Sequence, residues 1–424
     1  MSPAEIVDLG DGYSVKWPEP HITILIEYLH KQSHGLIGEM TVRNGTETLC
    51  QYLRVNLNTE PRTKGIAKKV HEYDGRLSVD GWARLIESTC VLILRRHREG
   101  EPLRILTVET PVEAITYQVN PFVFLGKPSV MFGDGGLGKS SFALFLAMLI
   151  SVGESQAGIQ ALPGNPLYLD YEDSYDVHVR RMQAIAACHP TLERATVRYQ
   201  SCTEPLANLT QPLLRRIQTD AISFVVLDSL AAATGGDAGA EAATKVFRAL
   251  RMLRVGALVI AHVPKTQGEG QEPSIYGSVF YKNFARSTWE LRREQEFDND
   301  SAVIGLFHRK SNLSRLHAPI GLKVTQNAES TRIQYEPFDL SQAAELKASL
   351  PWPNQIRNLF EDGEPRTSAE IAEELGAGLA VIKSTLSRHK GHKWQVQGEG
   401  RGTKWTVLVP KNRPLTSTVN TVLS

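Results

Sequence analysis

Hydrophobic and polar positions follow a mixed pattern in the first part of the chain, residues 1–110. Strand-like alternation over 38–42 is followed by Asn44-Gly45, which favours a type I′ hairpin turn because both central residues of that turn take positive φ. Apolar residues at helical spacing predict a helix over 78–96. These patterns predict an N-terminal α+β domain.

The second part, residues 111–340, alternates short β-rich apolar runs with helical stretches. The runs cover 129–132, 167–169, 223–227, 257–261 and 303–306. Such alternation predicts βα units around a mainly parallel sheet, an α/β fold class. The apolar run 142–152 is shorter than the roughly 20 residues that a membrane span needs, and it predicts a buried helix.

The third part, residues 341–424, has helical and hairpin patterns. We expect a connecting helix over 341–350, helices over 354–360, 368–375 and 379–389, a hairpin formed by 394–397 and 403–408, and a polar tail. Thr367 and Glu370 have the spacing of a capping box, and Gly376 suits the position just after a helix. Two helices, a short turn and a hairpin resemble a winged helix-turn-helix domain.

Composition narrows the class of protein. The chain carries 47 Lys and Arg against 46 Asp and Glu, a net charge of +1, so any nucleic-acid surface must be local. Its four cysteines form no CxxC pair, which disfavours a disulfide scaffold or a cysteine zinc site. The start has no basic segment followed by an apolar one. We therefore expect a cytoplasmic protein without a membrane partner.

Positive charge is concentrated at the C-terminal end. Eight Lys or Arg residues and a single acid, Glu399, follow residue 380. Such a local excess favours DNA binding over the alternative, a protein–protein winged helix with a solvated basic face. The candidate DNA contacts on the second helix and the hairpin are Lys383, Ser384, Ser387, Arg388, Arg401 and Lys404.

The strongest motif is a glycine-rich loop between an apolar run and a helix. It reads Gly133, Asp134, Gly135, Gly136, Leu137, Gly138, Lys139 and Ser140, with Ser141 next, and matches GxxxxGK[ST] in full. Glycines let backbone N–H groups face phosphate oxygens, and the helix adds its positive end. Lys139 is expected to reach the β- and γ-phosphates of ATP, and Ser140 to hold Mg²⁺.

Two apolar runs end in acids. The run 222–227 leads into Asp228, a candidate Mg²⁺ ligand. The run 167–169 leads into Asp170, Glu172 and Asp173, and a solvated turn is the alternative interpretation. ATP hydrolysis needs a group that orients or deprotonates water, and we assign that role to Glu172. Asp170 and Asp173 are expected to cap or support the turn.

The phosphate loop, the run before Glu172 and the run before Asp228 are followed by a fourth segment, Ala261-His262-Val263-Pro264-Lys265. This order of motifs, over about 111–340, resembles that of the RecA-like ATPases of the plasmid RepA hexameric helicase type, relatives of DnaB-like helicases. The resemblance implies that Glu172 is the catalytic base and that His262 senses the γ-phosphate. The family's first His and its Thr are absent here. It also implies a channel loop at Gly235-Gly236-Asp237, although Ala238-Gly239 replaces the family's Glu-Asn and a simple helix-entry loop is an equal alternative. A basic finger from a neighbouring subunit is implied at Arg286 or Lys310.

The leading hypothesis is a Mg²⁺- and ATP-dependent DNA motor, a homo-oligomer, most simply a hexamer. Single-stranded DNA would pass through its channel, and the winged helix would bind duplex. The alternatives are an ATP-dependent DNA-binding regulator and a filament-forming recombination or repair ATPase. A kinase is disfavoured because no acceptor-binding segment is apparent.

Overall fold

The computed structural model describes residues 3–10, 12–58, 63–100, 103, 105–112, 114–236, 239–263, 279–294, 300–343, 345–398 and 403–408. Contacts divide the chain into two compact units. The first comprises Met1–Trp289 and Arg309–Leu316, and the second comprises Glu290–His308 and His317–Ser424.

The first unit begins with an antiparallel sheet in the order β1-β2-β3-β4-β5, followed by two helices. The elements are β1 (Glu5–Asp8), β2 (Tyr13–Trp17), β3 (Ile22–Gln32), β4 (Gly35–Asn44), β5 (Glu47–Asn56), α1 (Thr63–Tyr73) and α2 (Val79–Glu99). Alternate strand residues and one face of each helix form a shared core that includes Ile24, Val42 and Trp82. Ser78 caps α2 by accepting a hydrogen bond from the Gly81 N–H.

The hairpin predicted after residue 42 is present, but its predicted turn type is wrong. Asn44 pairs with Glu47, so Gly45 and Thr46 are the central residues. Gly45 has φ 57°, whereas Asn44 and Thr46 do not have positive φ. A glycine at positive φ in the first central position is the pattern of a type II′ turn.

The rest of the first unit holds the phosphate loop and the strands around it. Its elements are β6 (Tyr117–Asn120), β7 (Val123–Phe124), β8 (Pro128–Gly133), α3 (Lys139–Val152), β9 (Ser155–Gln156), β10 (Ile159–Ala161), β11 (Asn165–Asp170), α4 (Tyr175–Ala186), β12 (Arg198–Ser201), α5 (Leu206–Thr219), β13 (Ile222–Asp228), α6 (Leu230–Ala233), α7 (Ala240–Leu253), β14 (Gly256–His262) and α8 (Val279–Phe284). Strands β6, β7, β9 and β10 form a small sheet of their own.

Five strands lie parallel in the order β12-β11-β13-β14-β8. They are the parallel part of a nine-stranded sheet that continues as β15 (Ser287–Glu294), β16 (Ser301–Ser311), β17 (Ile320–Gln326) and β18 (Ile333–Phe338). The fold is therefore mixed α/β with a large sheet that is parallel around the phosphate loop. The predicted parallel setting of 303–306 is wrong, because β16 pairs antiparallel with β17.

The register of the parallel strands decides which side chains meet. Asp170 lies opposite Asp228, and Gly133 lies opposite His262. Parallel strands share one carboxyl edge, where ligand sites of open α/β sheets form. The motifs found separately in the sequence therefore end at the same edge.

Helix α3 follows the phosphate loop and is buried almost all round, as predicted for the run 142–152. Phe142 packs edge-to-face on Phe122, with ring centroids 5.6 Å apart. A helix that is apolar on every side has a buried position. Because α3 is packed in the core, it fixes the position of the phosphate loop that precedes it.

Of the described residues, the second unit contains the last three α-helices and a small antiparallel sheet in the order β19-β21-β20. Its elements after β18 are α9 (Trp352–Leu359), β19 (Arg366–Thr367), α10 (Ser368–Glu374), α11 (Leu379–Arg388), β20 (Trp394–Gln397) and β21 (Lys404–Val407). Ile356, Ile371, Ile382, Leu386 and Trp394 form the centre of their core.

Local predictions in this region have different outcomes. The capping box is confirmed: Thr367 N–H donates to Glu370 Oε2 at 2.7 Å, and Glu370 N–H donates to Thr367 Oγ1 at 3.3 Å. The connecting helix predicted over 341–350 is wrong. Two short 3₁₀ turns, Leu340–Gln342 and Leu346–Ser349, lie there, and their apolar residues pack on Phe307. Among the described residues, no helix has the length and apolarity needed to cross a membrane.

Candidate functional site

The glycine-rich loop connects β8 directly to α3 at the carboxyl edge of the parallel strands. Gly136 and Gly138 have φ 76° and 87°, a left-handed conformation that glycine adopts without a steric penalty. A Cβ atom built on Gly135, Gly136 or Gly138 would meet nothing within 4 Å. The loop thus presents backbone to open space beside a helix N-terminus, the geometry that accommodates phosphate groups.

Lys139 is the first residue of α3 and is 3% exposed. Its Nζ donates to the carbonyl oxygens of Gly133 at 3.0 Å and Asp134 at 2.6 Å, so it lies folded over the loop. Burial lowers the pKa of Lys139, and the carboxylates of Asp228 and Glu172 oppose that shift. The ammonium is therefore held where phosphate oxygens would replace its carbonyl partners.

Asp228 ends β13 and is almost fully buried. Its Oδ2 accepts a hydrogen bond from the Tyr168 hydroxyl at 2.6 Å, while its Oδ1 is buried and has no hydrogen-bond partner among the described residues. Burial raises the pKa of Asp228, and the hydroxyls of Tyr168 and Ser140 oppose this effect. An orphaned carboxylate oxygen beside the Ser140 hydroxyl supplies the hard oxygen ligands that Mg²⁺ prefers. These residues fit a Mg²⁺ ion, and Ser140 and Asp228 would hold it.

Glu172 lies just past the end of β11 and contacts two functional side chains, Ser229 and His262. The Ser229 hydroxyl donates to Glu172 Oε1, and His262 Nε2 lies 3.5 Å from the same oxygen. The other ring nitrogen of His262, Nδ1, lies 3.5 Å from Lys139 Nζ. Lysine has only donors, so this arrangement is satisfied when Nδ1 accepts and Nε2 carries the proton.

The electrostatics of Glu172 keep it ionised. The hydrogen bond from His262 is the largest influence and lowers the pKa of Glu172; burial opposes it, and the Ser229 hydroxyl adds to the lowering. The structure thus brings Glu172, His262 and Lys139 together as the sequence predicted. Their assigned roles stay predictions.

Asp170 supports the turn that carries Glu172. Its Oδ1 accepts from the N–H groups of Glu172 and Asp173, each at 3.0 Å, and its Oδ2 accepts from the Tyr199 hydroxyl at 2.8 Å. Burial acts to raise the pKa of Asp170, but these hydrogen bonds outweigh it and the pKa is lowered. His178 Nε2 lies 3.1 Å from the same Oδ2.

Sequence reasoning missed the residues behind the acids, namely Tyr168, His178, Tyr199 and Ser229. Tyr168 and Asp170 are two apart on β11, so one signal was available: alternate residues of a strand share a face. His178 and Tyr199 come from α4 and β12, and no local pattern connects them to Asp170.

The two candidate finger residues differ in their surroundings. Arg286 is exposed just after α8, and its backbone is held by hydrogen bonds with Pro128 and Asn312. Lys310 Nζ donates to the carbonyl oxygens of Asn283 and Ala285, each at 2.9 Å. The Lys310 side chain therefore stabilises the backbone immediately before Arg286. The Arg286 side chain itself is exposed to solvent.

The candidate DNA contacts on α11, Lys383, Ser384, Ser387 and Arg388, are all exposed, while Ile382 and Leu386 on the same helix face the core. Lys404 is exposed on β21. Arg401 lies outside the described residues, as do Asp237 of the predicted channel loop and Lys265. Gly235 and Gly236 form a turn at positive φ after α6.

A strand, a glycine loop and a helix with its buried lysine lie beside acids at the ends of adjacent parallel strands. This arrangement defines a P-loop nucleotide-binding site in a mixed α/β domain. In agreement, residues 97–268 match the family model described as "AAA domain". Among solved structures, the chain is similar to the crystal structure of the KaiC-like protein PH0186 from the hyperthermophilic archaeon Pyrococcus horikoshii OT3. That match has 15% identity and a TM-score of 0.39, and it covers 54% of this chain and 100% of the other. No curated protein matches the chain significantly.

Proposed function

We propose that this chain is a Mg²⁺-dependent ATP-hydrolysing DNA motor, a hexameric helicase of the RepA type. The observation that carries the hydrolytic part is the position of Glu172. Its carboxylate lies between His262 and Ser229, beside the phosphate-binding lysine and next to the strand that ends in Asp228. A base at this position can act on water that approaches a γ-phosphate held by the loop.

The residues divide the chemistry of hydrolysis among them. The loop N–H groups and Lys139 bind the β- and γ-phosphates. Ser140 and Asp228 would hold Mg²⁺, which would supply positive charge to the phosphate oxygens. Glu172 accepts a proton from water as the water oxygen attacks the γ-phosphorus and the bond to the bridging oxygen breaks, which yields ADP and phosphate. His262 orients Glu172 through its Nε2–H.

An arginine supplied by a neighbouring subunit completes such sites and accelerates hydrolysis by about 10³–10⁵-fold. We assign this role to Arg286, because it is exposed while Lys310 holds the backbone that precedes it. A finger that acts in trans requires self-assembly, and a homo-hexamer accommodates six equivalent interfaces.

DNA binding is assigned to α10, α11 and the β20–β21 hairpin, as a winged helix. Support comes from the exposed row Lys383, Ser384, Ser387 and Arg388 on α11, with Lys404 on the hairpin. Burial lowers the pKa of His389 at the end of α11, and the charges of Lys393 and Arg388 lower it further, so this end of the helix has a positive field. Such a field attracts phosphate backbones.

The test is the rate of ATP hydrolysis with and without single-stranded DNA, measured on the wild type, Lys139→Ala and Glu172→Gln. Asp173→Asn is the matched control, since it neutralises the neighbouring acid, which pairs with Arg181. We expect DNA to stimulate the wild type and Asp173→Asn, and both other variants to lose hydrolysis. Hydrolysis retained in Lys139→Ala would contradict the site.

Strand separation on a forked duplex then distinguishes the motor from an ATP-dependent regulator. A wild-type protein that hydrolyses ATP at a rate indifferent to DNA, and that leaves the fork intact, would contradict the helicase.

A further inference from the structure

A groove lies between β5 and the end of α1, in the first domain of the chain, to which the proposed function assigns no role. It encloses about 540 Å³, a volume in the range of binding cavities. Besides apolar residues of β5, its lining contains polar and charged side chains and one aromatic ring, from Thr48, Gln51, Lys69, Glu72 and Tyr73.

Two tyrosines stand exposed at this groove. Tyr73, on its wall, is 74% exposed, and Tyr52, which lies between the lining residues Gln51 and Leu53, is 65% exposed. Neither side chain makes a hydrogen bond, a ring contact or a cation contact with another described residue. Tyrosine is enriched at binding surfaces because its large apolar ring carries a polar tip. Two such rings without partners therefore indicate a binding surface.

The backbone of Tyr52 has an unusual conformation. One residue of β4, Thr41, lies opposite two residues of β5, Gln51 and Tyr52, so β5 contains a β-bulge there. Tyr52 has φ 57°, a left-handed conformation that is a steric outlier for a bulky side chain. Bulges change the direction of side chains, and such outliers cluster at binding sites. The exposure of Tyr52 thus has a structural cause in the strand itself.

A second tyrosine of the same sheet, Tyr28, illustrates what such a ring can bind. Tyr28 also lies in a bulge, at φ 54°. The guanidinium carbon of Arg215 lies 3.9 Å from the centroid of the Tyr28 ring, and Arg215 also donates to the Tyr28 hydroxyl. One bulged tyrosine of this sheet therefore stacks against a planar group, whereas Tyr52 offers its ring to solvent.

Positive charge lies beside the exposed rings. Helix α1 carries Lys64, Lys68 and Lys69, which are all exposed, and none of them forms an ion pair with another described residue. Helix stability does not explain these positions, since Lys64 lies in the first turn, where the helix dipole disfavours a cation, and it repels Lys68 one turn later. Glu72 is the acid of the groove, so the three lysines leave a positive excess.

We propose that this groove binds a single strand of nucleic acid, with unpaired bases stacked on Tyr52 and Tyr73 and phosphates at Lys68 and Lys69. Exposed rings beside positive charge are the combination with which proteins bind single strands independently of sequence. An arginine side chain suits the same rings, but the lysines repel it. The site goes beyond the proposed function and does not depend on ATP hydrolysis.

The first test locates the contact directly. A thymidine oligonucleotide that carries 5-iodouracil is irradiated with the full chain in the absence of nucleotide, and the crosslinked peptides are identified by mass spectrometry. We expect adducts on Tyr52 or Tyr73, because stacked iodouracil reacts with the ring beneath it. Adducts confined to residues outside 47–73 would overturn the proposal.

The second test measures the affinity of the thymidine oligonucleotide by fluorescence anisotropy. We expect Tyr52→Ala and Tyr73→Ala each to weaken binding at least about fivefold, the loss typical of one stacked base. Tyr73→Trp should keep the affinity, because any aromatic ring can stack. Tyr175→Ala is the matched control, since Tyr175 is 60% exposed on α4. Equal affinity of Tyr73→Ala, Tyr175→Ala and the wild type would contradict stacking.

A third measurement examines charge and the kind of strand. Lys68→Ala should reduce the slope of log K against log salt concentration by about 0.7, the value for one phosphate of a single strand. Lys245→Ala, which removes an ammonium paired with Glu241, should leave the slope unchanged. A blunt duplex should bind the tyrosine variants and the wild type alike. Equal losses on duplex and single strand would overturn the proposal, because paired bases cannot stack on these rings.

The outcomes separate this inference from the proposed function. Adducts on Tyr73 in a chain that does not hydrolyse ATP would contradict the motor and support this site. DNA-stimulated hydrolysis without any adduct within 47–73 would overturn this site and leave the motor standing. A uridine oligonucleotide, measured in parallel, distinguishes RNA from DNA as the strand that binds.

Discussion

The hydrogen bond from the Tyr168 hydroxyl is expected to stabilise the Asp228 carboxylate of the candidate nucleotide site. This hydroxyl is the hydrogen-bond donor to Asp228 Oδ2, at 2.6 Å, and Asp228 is 2% exposed. Tyr168→Phe keeps the ring that packs on His178 and removes the hydroxyl, which also lies 3.5 Å from the Ser140 carbonyl oxygen. A hydrogen bond to a buried charged group contributes about 1.5–3 kcal/mol. We expect the free energy of unfolding to fall by about that amount at neutral pH.

The pH dependence has a definite sign. Burial raises the pKa of Asp228 and the Tyr168 hydroxyl opposes this, so Tyr168→Phe raises the pKa further. A carboxyl whose pKa is higher in the folded state binds its proton more tightly there, so stability decreases as pH rises through the folded pKa. The difference between variant and wild type is therefore largest at neutral pH. It disappears as pH falls below the folded-state pKa of Asp228 in the wild type, which lies above the ordinary carboxyl value.

The assay is urea unfolding of the nucleotide-free protein at several pH values. Tyr175→Phe is the control, because it deletes the same atom from a side chain that is 60% exposed. Adding Mg²⁺ and ATP should narrow the gap, since the metal gives the carboxylate another partner. If Tyr168→Phe and Tyr175→Phe unfold alike at neutral pH, the account of Asp228 is wrong.

Three further predictions follow from the same contacts. His262→Ala removes the main influence that lowers the pKa of Glu172, so the acid limb of the kcat profile should move to higher pH; an unmoved limb would contradict the contact. Lys310→Met should lower kcat with little change in the KM for ATP, and Lys310→Arg should restore it, as expected of a positioning residue; a changed KM alone would argue against that role. Lys383→Glu should weaken duplex binding and reduce the slope of log K against log salt concentration by roughly one. An unchanged slope would indicate that Lys383 does not contact a DNA phosphate.

Much of the fold and the site follows from local patterns. The glycine loop, the capping box and the buried helix α3 each depend on neighbours within a few residues, and all three are present. The wrong predictions concern segments whose structure depends on contacts between residues far apart in the sequence. The stretch predicted as a connecting helix contains the 3₁₀ turns Leu340–Gln342 and Leu346–Ser349, whose apolar side chains pack on Phe307. Residues 303–306 are antiparallel because β17 returns directly beside β16.

The amino-acid sequence by itself determined the phosphate loop, the acids at the strand ends and the basic C-terminal helix, because each is a short-range pattern of residue types. Only the tertiary structure decided that Asp170 lies opposite Asp228, that Tyr168 and His178 stand behind these acids, and that Lys310 fastens the chain before Arg286. Strand order and register set those contacts between residues as far as 60 positions apart. They arise from the packing of the whole sheet, which no local spacing encodes.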